Sequence, residues 1–220
     1  MAFQGNRSEP RRATPRLYLV TPQVSDLGGF ERDLAGALAA ADVAAVLLRL
    51  AAADERTLIG RAKALAAAVQ GKDAALIIDR RADLVARAGA DGAHLTGLDD
   101  FNAALAALKP ERIAGCGGLY SRHDAMSAAE AGADYVMFGE PEQDGRRPSF
   151  DAILERVAWW AEVFEVPCVA FAGALDEVEP LASTGAEFIA LGDWVFTDTR
   201  GAASAVAEAA GRLKIAEAAT

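Results

Sequence analysis

Three stretches of this 220-residue chain close a helical pattern in the same way: Gly, then Ala, then an acid, then a short apolar run. They are Gly89-Ala90-Asp91 before GAHL, Gly132-Ala133-Asp134 before YVMF, and Gly185-Ala186-Glu187 before FIAL. Gly just past a helix takes the left-handed conformation that ends it without a Cβ clash. An apolar run of four directly afterwards reads as a strand buried on both faces. A helix-to-strand joint repeated in one orientation is what a closed parallel βα barrel needs. The spacing fits multiples of one βα unit, not a short solenoid repeat.

Extending that reading gives eight strand-then-helix units. Strands are predicted at 17–20, 44–50, 75–78, 92–95, 112–115, 135–138, 168–171 and 188–191. Helices are predicted at 29–41, 54–70, 81–88, 99–108, 121–131, 149–164, 176–184 and 202–216. Asp54, Asp99, Ser121 and Ser149 stand where N-caps belong, and Pro110, Pro148 and Pro167 sit in the joints. The fold class predicted is therefore α/β, a single (β/α)8 TIM barrel over residues 16–220 behind a flexible tail at 1–15. An open doubly wound sheet needs a Gly-rich turn after its first strand, and TPQVSDLGGF holds no G-x-G-x-x-G. A 52% apolar content with only 7% aromatics suits close helix–strand packing over a sandwich.

The net charge of −10 argues against nucleic acid, which needs a basic face. It leaves room for a small phosphorylated ligand, because a few Arg side chains and backbone N–H groups suffice to hold one. No apolar run approaches membrane-spanning length, so no membrane partner is expected. The Arg-rich start lacks the apolar core of a secretory signal. Cys116 and Cys168 are too few for a disulfide scaffold and lack zinc-ligand spacing, so a cytoplasmic protein is expected. Trp159 and Trp160, adjacent on a helix, cannot share one face: one belongs to the core, and the other is a candidate contact in a homo-oligomer.

In such barrels the active site lies at the C-terminal ends of the strands. Residues there include Arg49, Asp79, Arg80, Arg81, Asp99, Tyr120, the loop from Gly139 to Arg147, Gly173, Gly192 and Asp193. An Arg inside VLLRL is costly unless it faces the barrel mouth or pairs with a carboxylate such as Asp79, and both readings stand. Asp79, Arg80 and Arg81 read equally as a strand-end charge cluster or a helix start, and Asp99 as a metal ligand or a cap. His94 reads as a hydrogen-bonded core residue.

Several segments resemble the thiamine-phosphate synthases and their relatives, the thiazole tautomerases. LYLVTP is similar to the family's first strand, and LIIDRRADLVARAGADGAHL to LIINDRxDLAxxxGADGVHL. AGADYVMFGEP is similar to GADYVxxGPxF, and PCVAFAGAL to PVVAIGGI. The resemblance implies a barrel that joins a pyrimidine diphosphate to a thiazole phosphate with Mg2+, a transferase of thiamine biosynthesis. It implies catalytic roles for Arg49, Asp79, Arg80, Tyr120 and Arg147. Phosphate contacts fall at Gly173, Gly192 and Asp193, and metal contacts at Asp79 and Asp99.

The departures have a direction. The family's Q-x-R-x-K reads Leu47, Arg49 and Ala51, and its N-D-R reads Asp79, Arg80 and Arg81. A guanidinium at Arg80 works against Mg2+ at that place, by about 4 kcal/mol for unit charges ~4 Å apart at an effective dielectric near 20. Asp193 sets a negative charge where the family has Ser, while Arg146 and Arg147 add cations in the loop after the sixth strand. Tyr120 falls near the tautomerase His. An altered or inactive homologue, serving as ligand sensor or partner subunit, and a tautomerase-like isomerase are the alternatives.

Overall fold

The computed structural model describes residues 14–142 and 144–218, so the expected tail at 1–15 lies almost wholly outside the described residues. Eight parallel strands close on themselves in sequence order. They are β1 Arg16–Val20, β2 Val43–Leu48, β3 Ala75–Asp79, β4 Gly92–Thr96, β5 Ile113–Gly117, β6 Tyr135–Phe138, β7 Cys168–Ala172 and β8 Phe188–Leu191. Closure is made by β8 pairing with β1, Arg16 opposite Phe188 and Leu19 opposite Leu191. The helices are α1 Phe30–Ala40, α2 Glu55–Gln70, α3 Val85–Ala88, α4 Leu98–Leu108, α5 Arg122–Glu130, α6 Phe150–Val163, α7 Val178–Ala182 and α8 Ala202–Ala218. The fold is a (β/α)8 TIM barrel.

The repeated Gly-Ala-acid motif has a structural explanation in all three parts. Gly89, Gly132 and Gly185 take φ values of +71°, +102° and +93°, a region an L side chain rarely enters. Ala90, Ala133 and Ala186 are buried against the barrel. Each acid reaches across to the start of the preceding strand and accepts a backbone N–H there. Asp91 takes Leu76 N at 2.7 Å, Asp134 takes Ala114 N at 2.7 Å, and Glu187 takes Cys168 N at 2.8 Å. The motif thus ties strand pairs together at the end opposite the mouth, where it serves stability.

Alternation along the strands builds two cores. Leu17, Leu19, Val46, Leu48, Leu76 and Ile78 face the helices. Tyr18, Val20, Leu47, Ile77, Tyr135, Met137, Val169 and Phe171 fill the barrel interior. By the same alternation His94, between Ala93 and Leu95 of the outer core, points inward.

Most helix starts follow their predicted chemistry. Asp54 accepts Thr57 N, Ser121 and Asp124 form a reciprocal capping box, and Ser149 accepts Ala152 N. Asp99 is a correction: α4 begins one residue earlier, Gly97 holds the cap position at φ +86°, and Asp99 lies in the first turn without capping it. Two helices are shorter than the pattern implies, because 3-10 turns at Ala82–Leu84 and Leu175–Glu177 precede α3 and α7. Strand β2 stops at Leu48, which moves Arg49 from the strand to its mouth end. Trp160 is fully buried, and Trp159 is half-buried beneath the Arg122 guanidinium, 4.6 Å from its ring centroid. Among the described residues no helix is long and apolar enough to cross a membrane.

Candidate functional site

A cavity of about 620 Å3 opens at the C-terminal mouth of the barrel. Its floor is apolar, made by Val20, Leu47, Met137 and Phe171, and its polar lining includes Arg49, Asp79, Arg80, Tyr120 and Glu140. Four of the five residues assigned catalytic roles from the sequence therefore meet in one place. The remaining one, Arg147, lies with its guanidinium 5.4 Å from the ring centroid of Phe171.

Arg49 is fixed from below and from the side. Its Nε donates to Thr21 O at 2.6 Å, and an Nη donates to Asp193 Oδ2 at 2.8 Å. The pairing partner is thus Asp193 and not the sequence neighbour candidate Asp79. Asp79 is largely buried at the end of β3, and burial pushes its carboxyl above the usual range, opposed by the charges of His94, Arg80 and Arg49. Arg80 follows with φ at +60°, a strained conformation for a long side chain, and its Nε stands 3.9 Å from Asp79 Oδ1. Its N–H donates to His94 O at 2.8 Å, which holds the turn. Arg81 leaves the cluster and pairs with Asp83, as a helix-start residue does.

Arg147 makes a fork-to-fork pair with Glu177, both N···O distances 3.1 Å, and also donates to Gly139 O and Phe171 O. Glu177 in turn accepts Gly173 N at 2.7 Å. Gly192 N donates to Ala172 O at 3.1 Å. The backbone donors expected at the two phosphate-binding turns are therefore engaged within the chain, one by a carboxylate. Tyr120 is 62% exposed at the rim. Asp99 lines a neighbouring shallow hollow, which shares Thr96, Gly118 and Tyr120 with the main cavity.

His94 is the hydrogen-bonded core residue that the sequence suggested, but its partners escaped sequence reasoning. Tyr18 Oη lies 2.9 Å from Tyr135 Oη, Tyr135 Oη lies 3.0 Å from His94 Nδ1, and His94 Nε2 lies 3.1 Å from Glu140 Oε2. Gly118 N donates to Glu140 Oε1 at 2.5 Å. A carboxylate only accepts, so His94 Nε2 carries a hydrogen, and Nδ1 either accepts from Tyr135 or, in the imidazolium, donates to it. Burial lowers the His94 pKa, but the charge and hydrogen bond of Glu140 and the charge of Asp79 outweigh it, and the net direction is upward. Cys116 is buried near the same carboxylate and its thiol is pushed up to about 12, which makes it inert at neutral pH.

Strand β5 is cleared for this chain. A Cβ on Gly115 would lie 2.0 Å from the Tyr135 ring, and one on Gly117 would lie 2.0 Å from Glu140 Oε1 and 2.7 Å from His94 Nε2. The signal available in the sequence was therefore the pair of glycines in IAGCG, together with an acid two residues past β6. Neither points to the other without the register.

The chain matches the family model described as thiamine monophosphate synthase over residues 17–212, nearly the whole barrel. It belongs to the thiamine monophosphate synthase family. The thiamine-phosphate synthase of Rhodospirillum centenum is 42% identical over 197 residues, covering 88% of this chain and 95% of that protein. The enzyme of the same name from Hyphomonas neptunium is 38% identical over 211 residues, covering 90% and 93%. Among solved structures, a thiamine phosphate pyrophosphorylase from Pyrococcus furiosus superposes with a TM-score of 0.77 at 25% identity, covering 92% of this chain and 97% of the other. A 3-hexulose-6-phosphate synthase superposes at 0.69 with 17% identity, a likeness of fold alone. The family resemblance of LYLVTP and GADGAHL thus maps onto β1 and β4, the strands that carry Tyr18 and His94.

Proposed function

We propose that this protein is a thiamine-phosphate-synthase-like transferase that seats a phosphorylated thiazole- or pyrimidine-type heterocycle in the mouth cavity. With both halves bound, the pyrimidine C–O bond breaks, its electron pair leaves with pyrophosphate, and the thiazole nitrogen takes the carbon. The observation that carries the reading is the convergence of Arg49, Asp79, Arg80 and Tyr120 on one apolar-floored cavity in a barrel of this family. A flat ring suits Leu47, Met137 and Phe171, and Arg49, Arg80 and Arg156 are the cations that line the cavity for a departing anion. Free, buried Cys116 and Cys168 suit the reducing cytoplasm in which we place it.

Mg2+ fits this donor set poorly. It requires near-octahedral oxygen ligands, whereas Asp79 has a guanidinium 3.9 Å away and Asp99 lines a different hollow. Among the described residues no three His, Cys, Asp or Glu side chains gather as a metal-holding group. Charge compensation by the protein therefore falls to arginines.

A second reading, an altered homologue that binds without joining, is favoured by one specific observation. Arg49, Arg80 and Arg147 each already face a carboxylate, so an incoming diphosphate competes with Asp193, Asp79 and Glu177. The test is an incubation of purified protein with pyrimidine diphosphate and thiazole phosphate, following thiamine phosphate formation. Turnover supports the transferase. Calorimetric binding of thiamine phosphate without turnover supports the altered homologue, and absence of both sinks the family-based reading.

A further inference from the structure

Glu140 differs from the other acids of the mouth in what holds it. Asp193, Asp79 and Glu177 answer arginines. Glu140 is held instead by an imidazole beneath and a backbone N–H beside it, at 3.1 and 2.5 Å. It is pinned without being covered: its side chain lines the cavity and keeps 17% exposure. Each carboxylate oxygen has two acceptor sites, so one bond to each leaves acceptor capacity for a guest.

The scaffold around it is built to keep that position. His94, 1% exposed, is itself anchored through Tyr135 to Tyr18, and among the described residues no buried side-chain N or O atom lacks a partner. Gly115 and Gly117 leave the volume that Tyr135 and Glu140 fill. A fixed, half-buried acceptor beside an apolar floor selects its guest by what faces it. A ring that offers N–H groups completes its bonds. A ring of the same shape with a carbonyl at that place sets an acceptor against the carboxylate there and keeps at most the single N–H of its neighbouring ring nitrogen.

We infer that Glu140, positioned by His94 and the Gly118 N–H, is the specificity-determining acceptor of the mouth, selecting an amino-bearing heterocycle over its oxo counterpart. This deepens the thiamine-phosphate-synthase-like reading above and rests on it. The rival role is a strut that merely neutralises His94, and the two differ in what a ligand series reports.

The experiment is calorimetry of the wild type and Glu140→Gln with thiamine phosphate and with oxythiamine phosphate, whose ring carries a carbonyl in place of the amino group. The wild type is expected to favour thiamine phosphate by at least about tenfold. Glu140→Gln, whose amide both donates and accepts, is expected to narrow that ratio to about threefold or less. Equal binding of the two ligands by the wild type overturns the inference, as does an unchanged ratio in the variant; in either case the parent reading survives. Failure of the wild type to bind either ligand overturns the parent reading and the inference with it. Circular dichroism checks that the variant folds. Should it not, Glu140→Asp replaces it, and there the carboxylate drawn back by one methylene is expected to lose the preference.

Discussion

Adding one methyl group to Gly117 tests how the mouth is held together. The new Cβ would lie 2.0 Å from Glu140 Oε1 and 2.7 Å from His94 Nε2, both inside any real contact distance. Glu140 has a cavity to swing into, while the His94 ring, 1% exposed, must also give way by a few tenths of an ångström, so both partners of the contact are displaced. What Gly117→Ala removes is the 3.1 Å contact to His94 and the 2.5 Å bond from Gly118 N. Two charge-assisted bonds are worth about 3–6 kcal/mol together if lost outright. Rehydration of the displaced carboxylate offsets part of this, and Ala in place of Gly in a strand returns roughly 0.5–1 kcal/mol. A net loss of about 2–3 kcal/mol remains. At roughly 2–4 °C per kcal/mol for a chain of this size, the melting temperature should fall by about 5–10 °C. Thermal melts by circular dichroism read that value. Imidazole NMR should show the His94 pKa falling in the same variant, because its carboxylate partner has gone. A variant that melts within about 1 °C of the wild type with an unchanged His94 titration would refute the reasoning, since Glu140 and His94 could not then be coupled as described.

Further tests follow from the same geometry. Gly60→Ala should act in the opposite direction, because a Cβ there meets nothing within 4 Å inside α2; about 1 kcal/mol of added helix propensity should raise the melting temperature by roughly 2–4 °C. A His94 pKa raised on folding, by Glu140 and Asp79 against burial and Arg80, stabilises fully below the imidazole's ordinary 6.5 and is lost as pH rises through the folded value. Asp79, also raised, acts with the same sign from its ordinary 3.8 upward. Melting temperature should therefore fall as pH rises from near 6.5 through the folded His94 value, and Glu140→Gln should flatten the His94 part of that slope. Asp193→Asn releases Arg49 from its 2.8 Å partner; because Asp193 is 59% exposed the gain is small, about three- to fivefold tighter binding of inorganic pyrophosphate by calorimetry, shrinking with added salt. Unchanged affinity would remove Arg49 from the anion site.

The barrel itself was legible in the chain because its signals are local. A left-handed Gly after a helix, a capping Ser or Asp, and a four-residue apolar run each act within a few positions, and eight such units in one order leave few topologies. Strand-end residues could likewise be named, since the mouth of a barrel follows from strand direction. That is why Arg49, Asp79, Arg80 and Tyr120 could be nominated together and are found around one cavity. Arg49 taking Asp193 in place of Asp79 lay beyond local reading, because the two partners are 144 positions apart. The same holds for Arg147 with Glu177, and for the run from Tyr18 through Tyr135 and His94 to Glu140, which joins β1, β6 and β4. Local pattern sets which residues stand at the mouth. Closure of the ring and strand register set which of them touch, since a slip of one residue turns a side chain from the interior to the helices. The charge state and reach of each group at the mouth depend on those contacts, so they belong to the tertiary structure alone.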